Sequence, residues 1–275
     1  MTIAEAIRAA TQRLSSSDTA RLDAELLMAF ALGVPRSDLL IRHMAEAVPE
    51  AFEKLVKRRV EYEPVAYITG MAEFYGLNLG VGPGVLIPRG DSETLIEAAR
   101  EAFADTLAPK SILDLGTGSG ALLLAALSIW PEARGTATDF SDAVVPIFLA
   151  NARRHCDANL PQFHPADWTK PGWSELLGSF DLILCNPPYV EEAAALEPDV
   201  RDFEPANALF AGPDSLDDYR LIIPQLRPLL EPNGVAILEI GSTQAEAVSD
   251  LARSHGFNSD IRNDLANRPR AVILK

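Results

Sequence analysis

The sequence predicts an α/β protein: a doubly wound, mostly parallel sheet preceded by a small all-helical unit. Three observations carry this expectation. From Asp91 onward, apolar runs of strand length alternate with helical runs, the order that builds a parallel sheet with helices on both faces. The first of these strands, Ser111 to Leu115, enters a Gly-rich turn that opens straight into an apolar helix, Ala121 to Trp130. Before about residue 70, by contrast, apolar positions recur at helical spacing. At 275 residues and 48% hydrophobic content, the chain can bury one large core and one small one.

Residues 1–70 form the helical unit. Thr2 and Glu5 have capping-box spacing, and Ile3, Ile7, Ala10 and Leu14 share a helical face. Ser15-Ser16-Ser17 is a turn, and Ala20 to Leu32 is a second helix closed by Gly33. Asp38 to Ala47 and Pro49 to Tyr62, the latter with Pro at its first position, bring the unit to about four to five short helices. Residues 71–88 read as a hairpin linker, Phe74 to Val81 pairing with Val85 to Pro88 around Gly82-Pro83-Gly84. Residues 89–275 hold the sheet. Its strands are Ser111 to Leu115, Arg134 to Asp139, a stretch near Pro161 to His164, Phe180 to Cys185, Gly234 to Ile240, a stretch near Phe257 to Arg262, and Ala271 to Leu274.

Two loops of this domain carry chemistry. In Gly116-Thr117-Gly118-Ser119-Gly120 the glycines let backbone approach a ligand, and the following helix N-terminus favours an anionic group. The same spacing loosely satisfies a dinucleotide fingerprint. Asp139 ends the second strand, where a carboxylate can take two ribose hydroxyls or act as the acid entering the next helix ahead of Ser141. Trp168, after Asp167, offers either a stacking face for adenine or a partly buried surface indole. The second loop is Asn186-Pro187-Pro188-Tyr189, directly after Phe180 to Cys185. Neither proline has an N–H to donate, so the ladder stops and the Asn186 and Pro187 carbonyls are left as acceptors. With the Asn186 side-chain oxygen and the Tyr189 ring, this is a set of groups suited to gripping a planar –NH₂.

Strand, Gly loop, helix, acid-ended strand and Asn-Pro-Pro-Tyr together resemble the S-adenosylmethionine-dependent methyltransferases that modify amide or exocyclic amine nitrogen. Arg21-Leu22-Asp23-Ala24-Glu25-Leu26-Leu27, Glu63 to Gly70, Glu73-Phe74-Tyr75-Gly76 and Val85 to Arg89 with Asp91 and Glu93 narrow the likeness. With Glu204-Pro205, Leu238-Glu239-Ile240-Gly241 and Asp264 to Arg270, they resemble the peptide-chain release-factor glutamine N5-methyltransferases over nearly the whole chain. Gly90 and Ser92 stand where that family leads one to expect Pro and Thr, and Ser215 where it leads one to expect Gly. The resemblance implies a Rossmann-like class I methyltransferase domain with a mostly parallel seven-stranded sheet. It implies S-adenosylmethionine at Gly116, Thr117, Gly118, Ser119, Gly120, Asp139, Trp168 and Asn186, the substrate glutamine at Asn186, Pro187, Pro188 and Tyr189, and catalysis by Asn186, Pro187 and Tyr189 without a dedicated base. The implied partner is a release factor, recognised by the helical unit; Phe74, Tyr75 and Arg89 would wall the cleft.

Charge separates the alternatives. Enzymes that methylate adenine amino groups in nucleic acid must neutralise phosphates, whereas here 39 acids face 24 bases, a net charge of −15. A protein glutamine, on a release factor or on a ribosomal protein, is therefore favoured, and no direct nucleic-acid binding is expected. Cys156 and Cys185 are too few for a disulfide framework, and His43, His155, His164 and His255 lack ligand spacing, so no metal is expected. The absence of a membrane-length apolar run and of a signal pattern makes a cytoplasmic protein the expectation.

Overall fold

The structure, a computed structural model, describes residues 1–156 and 159–275. The chain separates into two compact units, Met1–Met71 with Leu196–Phe203, and Ala72–Ala195 with Glu204–Lys275.

The first unit is helical. Helix Ile3–Arg13 starts in the expected capping box: the Thr2 hydroxyl accepts the Glu5 N–H at 3.3 Å and the Glu5 carboxylate accepts the Thr2 N–H at 2.8 Å. Helix Ala20–Leu32 ends at Gly33, whose φ of 68° closes the last turn. The expected helix over Asp38 to Ala47 is instead a short turn, Arg36–Asp38, running into a π-helix, Leu39–His43. The reason lies in its carbonyls, since Met44 and Glu46 give theirs to the free amides of Ala4 and Ile3 at the start of the first helix. Pro49 lies before helix Ala51–Val60 rather than within it, and Val65–Thr69 completes the run. The Arg21-to-Leu27 motif explains itself here. Buried Asp23 accepts from Ser17, Thr19 and Arg59, and buried Glu25 accepts from Arg21 and Arg36, so both acids tie the helices together.

A hairpin opens the second unit, with a different turn from the one expected. Strands β1 (Met71–Phe74) and β2 (Leu77–Gly80) meet at Tyr75-Gly76, with φ of 51° and 76°. Positive φ at both central residues matches the twist of paired strands, a match that Gly-Pro-Gly, with φ fixed at its proline, does not provide. Residues 85–88 form no strand; the Ile87 amide donates to the buried Glu204 carboxylate at 3.1 Å.

The main sheet comprises β3 (Ser111–Leu115), β4 (Arg134–Asp139), β5 (Gln162–Pro165), β6 (Phe180–Cys185), β7 (Leu230–Glu239), β8 (Ser259–Asn263) and β9 (Pro269–Leu274). It has seven strands in the order β5-β4-β3-β6-β7-β9-β8. Strands β3 to β7 run parallel, and β9 lies antiparallel between β7 and β8. Strand alternation sorts the core into two layers. Ile112, Leu182, Leu184 and Ile237 face helices Glu93–Ala102, Ala121–Ile129 and Val144–His155, while Leu113, Ile183, Ala236 and Leu238 face Asp217–Leu226 and Ala245–Ser254. Leu115 pairs with Thr138 and Cys185, and Cys185 with Leu238. The next residue on each strand, Gly116, Asp139, Asn186 and Glu239, therefore lies in one row at the carboxyl edge, where open α/β sheets bind ligands.

Candidate active site

The Gly loop begins in this row. Gly116, Gly118 and Gly120 all have positive φ, and at two of them a side chain has no room. A Cβ on Gly116 would stand 3.1 Å from Trp168 Cη2, and one on Gly120 would stand 2.9 Å from Phe148 Cδ2. The Gly116 and Thr117 amides donate to the Thr138 carbonyl at 2.9 Å, which holds the loop against β4. Below it, Asp114 is buried and accepts from the Thr117 hydroxyl at 2.6 Å. Burial pushes its pKa up to about 7, with the Thr117 hydroxyl and the Leu123 amide pulling downward and the charge of Asp139 adding to the rise.

Of the two roles open to Asp139, the structure shows the helix-entry one and adds a tie to the Gly loop. Its Oδ1 accepts the Ser141 amide and its Oδ2 the Gly118 amide, each at 3.0 Å, so the carboxylate joins the entry of the next helix to the Gly loop. Burial raises its pKa against these bonds. Trp168 packs its ring edge on Gly116 and donates its N–H to Asp218 Oδ1 at 2.7 Å. Asp139 and Trp168, with Gly116, Gly118, Val85, Asn186 and Pro188, line a cleft, and an adjoining space reaches Ser92, Asp114, Thr117 and Ser119. Gly116, Gly118 and Asn186 line both.

At the end of β6, Asn186 is half-buried and its Nδ2 lies 3.5 Å from Ser92 Oγ. Pro187 and Pro188 are buried, Pro188 against the cleft. Tyr189 does not line the cleft in this structure. Its hydroxyl donates to Glu239 Oε1 at 3.0 Å, and burial with the adjoining Glu239 carboxylate raises its pKa. The loop is strapped from the far side: Val190 exchanges backbone hydrogen bonds of 2.9 Å with Leu209 and Ala211, and Glu204 pairs with Arg89. Gln244 Nε2 donates to the Tyr189 carbonyl at 3.3 Å and to Ser215 Oγ at 2.7 Å. Ser215 has a φ of 58°, the conformation for which glycine is suited, and its hydroxyl bond to Gln244 offsets the strain.

Four contributors were given no role in the site by sequence reasoning, although Ser92 and Glu239 lie in segments named for the resemblance. Phe140, 50% exposed, lines the cleft beside Asp139 and carries an aromatic face there. Buried Asn151 accepts from the Gly80 amide at 2.6 Å and donates to the carbonyls of Gly80 at 2.9 Å and Ser119 at 2.8 Å, joining the hairpin to the Gly loop. Ser92 and Glu239 stand behind Asn186 and Tyr189. Only Phe140 had a usable signal, as the aromatic directly after the strand-ending acid. Among the described residues, no cluster of three or more His, Cys, Asp or Glu is placed to hold a metal ion, and no helix is long and apolar enough to cross a membrane.

Comparison with known proteins shows the family of the chain. The model of the PrmC N-terminal domain matches residues 5–70, and that of the methyltransferase small domain matches residues 91–203. A release factor glutamine methyltransferase of Moorella thermoacetica is 40% identical over 283 residues, covering 99% of this chain and 98% of that protein. One of Mycolicibacterium smegmatis is 39% identical over 277 residues, covering 97% and 95%. A Streptococcus mutans structure, described as a candidate SAM-dependent methyltransferase, shares the fold with a TM-score of 0.52 at 15% identity, over 74% of this chain and 55% of that one. Matched at this identity from end to end, and with a model of the family's N-terminal domain fitting its helical unit, the chain belongs to the release factor glutamine methyltransferase family.

Proposed function

We propose that this chain transfers a methyl group from S-adenosylmethionine to the side-chain amide nitrogen of a glutamine in a peptide-chain release factor, and that Asn186 aims that nitrogen. The observation that carries the reading is the position of Asn186. It ends β6 in the same row as the Gly loop and Asp139, and it lines both spaces above that loop.

The residues present fit the cofactor. A loop with three glycines at positive φ, a buried carboxylate and two aromatic side chains, Phe140 and Trp168, surround one cleft. Gly116 to Gly120 would receive the amino-acid end, Asp139 the ribose hydroxyls, and Phe140 with Trp168 the adenine. When bound, the cofactor supplies an electrophilic methyl group on a sulfonium centre.

The substrate nitrogen is a poor nucleophile because its lone pair is delocalised into the carbonyl, so positioning carries the rate. Asn186 Oδ1 and the Pro187 carbonyl accept its two N–H bonds, fix the direction of its lone pair and stabilise the positive charge that develops on nitrogen. Pro187 acts through its carbonyl, its ring being buried. Pro188 walls the cleft, and Tyr189, anchored on Glu239, holds the loop in shape. The methylated nitrogen is acidic and sheds its proton to water, so no general base is assigned. The helical unit, residues 1–70, is the proposed recognition surface for the release factor body. A substrate in the translation apparatus implies a cytoplasmic enzyme, and the net charge of −15 fits a protein substrate rather than a nucleic acid.

The test is Asn186→Ala, assayed by mass spectrometry of release factor at saturating cofactor. A folded variant should lose roughly a hundredfold or more in turnover. Near-normal methylation by that variant would show that the Asn-Pro-Pro-Tyr loop is not the reaction site.

A further inference from the structure

The Pro187 carbonyl can meet a substrate N–H only if the peptide plane between Pro187 and Pro188 stands at one angle. The two rings fix φ, but ψ at each proline is left to whatever holds the ends of the pair. On the entry side, Cys185 is paired with Leu115 and Leu238 in the sheet. On the exit side, Val190 is bonded to Leu209 and Ala211, and Tyr189 is held twice. Its hydroxyl donates to Glu239, and its carbonyl accepts from Gln244 Nε2 at 3.3 Å. Gln244 thus grips the backbone of the Asn-Pro-Pro-Tyr loop itself.

Gln244 is buried at the residue before helix Ala245–Ser254, and its carboxamide can face only one way. Oε1 accepts the Gly241 amide at 2.7 Å, a group that can only donate. Nε2 faces the carbonyls of Tyr189 and, at 2.9 Å, of Ser215, groups that can only accept. Ser215 Oγ, 2.7 Å from Nε2, also presents lone pairs, because its single proton goes to the Asp214 carbonyl at 2.7 Å. The Tyr219 hydroxyl, which donates to the Glu239 carbonyl at 2.7 Å, lies 3.4 Å from Oε1 and adds a donor on that side. Neither Gln244 nor Ser215 lines the cleft.

We propose that Gln244 is a positioning residue for methyl transfer, which holds the Tyr189 carbonyl and so sets the Pro187–Pro188 peptide plane that aims the Pro187 acceptor. Ser215 anchors Gln244 in turn. Glycine at 215 would take the φ of 58° without strain, but it would leave Nε2 with one acceptor fewer. Two N–H groups set among three acceptors hold the carboxamide in this orientation, so the loop exit is fixed before substrate arrives. This inference rests on the proposed role of the Asn-Pro-Pro-Tyr loop.

Gln244→Glu keeps the shape and the acceptor for Gly241. Ionised, it has no hydrogen for Tyr189 or Ser215 and sets an oxygen against their carbonyls; protonated, it has one O–H to give and regains part of the grip. Burial beside those oxygens raises its pKa above the ordinary value of about 4.3, so the protonated form gains as pH falls from about 8.5 to about 6. Gln244→Met keeps the length, lacks the N–H groups and does not titrate. The titratable groups around this position, Tyr189, Glu239, Tyr219 and Asp218, are common to the parent enzyme, so kcat is read as the ratio of variant to parent at each pH. At about pH 8.5 both variants should have a ratio lower by about tenfold or more, with Kd for the demethylated cofactor product within about twofold of the parent value. On going to about pH 6 the ratio should recover by about threefold or more for Gln244→Glu and stay flat for Gln244→Met. A near-parent kcat in either variant, the same flat ratio in both, or a Kd that weakens in step with kcat would overturn the proposal. If Gln244→Glu does not fold, Gln244→Met decides alone through kcat against Kd. Full activity in Asn186→Ala would instead overturn the reading of the site itself, and so separates the two failures.

Discussion

Asn151→Asp changes one NH₂ to an oxygen and nothing else in shape, yet it should damage this protein more than removing the side chain. Asn151 is completely buried on helix Val144–His155, with its Oδ1 on the Gly80 amide and its Nδ2 shared by the carbonyls of Gly80 and Ser119. Asn151→Ala loses three hydrogen bonds, about 3 kcal/mol at roughly 1 kcal/mol each. Asn151→Asp keeps one bond, but sets an oxygen 2.9 Å and 2.8 Å from two carbonyl oxygens and buries a charge. That should raise the cost to about 4–5 kcal/mol at neutral pH. The carboxyl of such a variant has a folded pKa above its unfolded value. Its contribution to stability is therefore full only below the unfolded pKa, near 4, and is lost as pH rises through the folded one. The measurement is thermal unfolding followed by circular dichroism at pH 7.5 and at about pH 5, where about 3 kcal/mol corresponds to a Tm drop on the order of 10 °C. The Asp variant should melt below the Ala variant at the higher pH and approach it at the lower. An Asp variant as stable as the Ala variant at pH 7.5 would refute the hydrogen-bond assignment. Because Ser119 belongs to the Gly loop, calorimetry on folded Asn151→Ala should also show weakened binding of the demethylated cofactor product.

Asp139→Ala should weaken that binding by about 1–3 kcal/mol, since the proposed ribose acceptor and the tie to the Gly118 amide are lost together. With the Asp139 pKa raised by burial, affinity in the parent protein should begin to fall on acidification above the ordinary carboxylate range; titration calorimetry across pH tests both. Asp114, pushed up to about 7, contributes stability that is full below its unfolded pKa and fades as pH rises through about 7. Asp114→Asn should therefore gain stability over the parent protein as pH rises, by up to about 4 kcal/mol, and the gain should vanish below pH 4; urea unfolding at several pH values is the check. Gly90→Pro should stabilise by about 0.5–1 kcal/mol, read as a rise in the urea midpoint. Gly90 opens a 3₁₀ turn, its Cβ space is empty, and Arg89 before it is already extended, with a ψ of 139°.

Much of this protein is legible in short stretches of its sequence. The capping box at Thr2, the Gly loop at 116–120 and the strand stop at Asn186 each act through the conformational limits of a few neighbouring residues, so their meaning survives without knowledge of the rest of the chain. The strand runs of the main sheet were equally clear, because an apolar run is a local property, whereas the run at 85–88 forms no strand. Turns were less so. Gly82-Pro83-Gly84 is the stronger turn composition, yet the hairpin closes at Tyr75-Gly76, since the choice depends on which strands find partners. The support behind the site lay beyond sequence reasoning altogether. Asn151 meets Gly80 across 71 positions, Asn186 meets Ser92 across 94, and Tyr189 meets Glu239 across 50. Such pairs obey no spacing rule, because each is created when sheet register and helix packing bring distant residues together. What the sequence determined by itself is the conformation of short loops and strands; which side chains stand behind them, Ser92 behind Asn186 and Glu239 behind Tyr189, was decided by the tertiary fold.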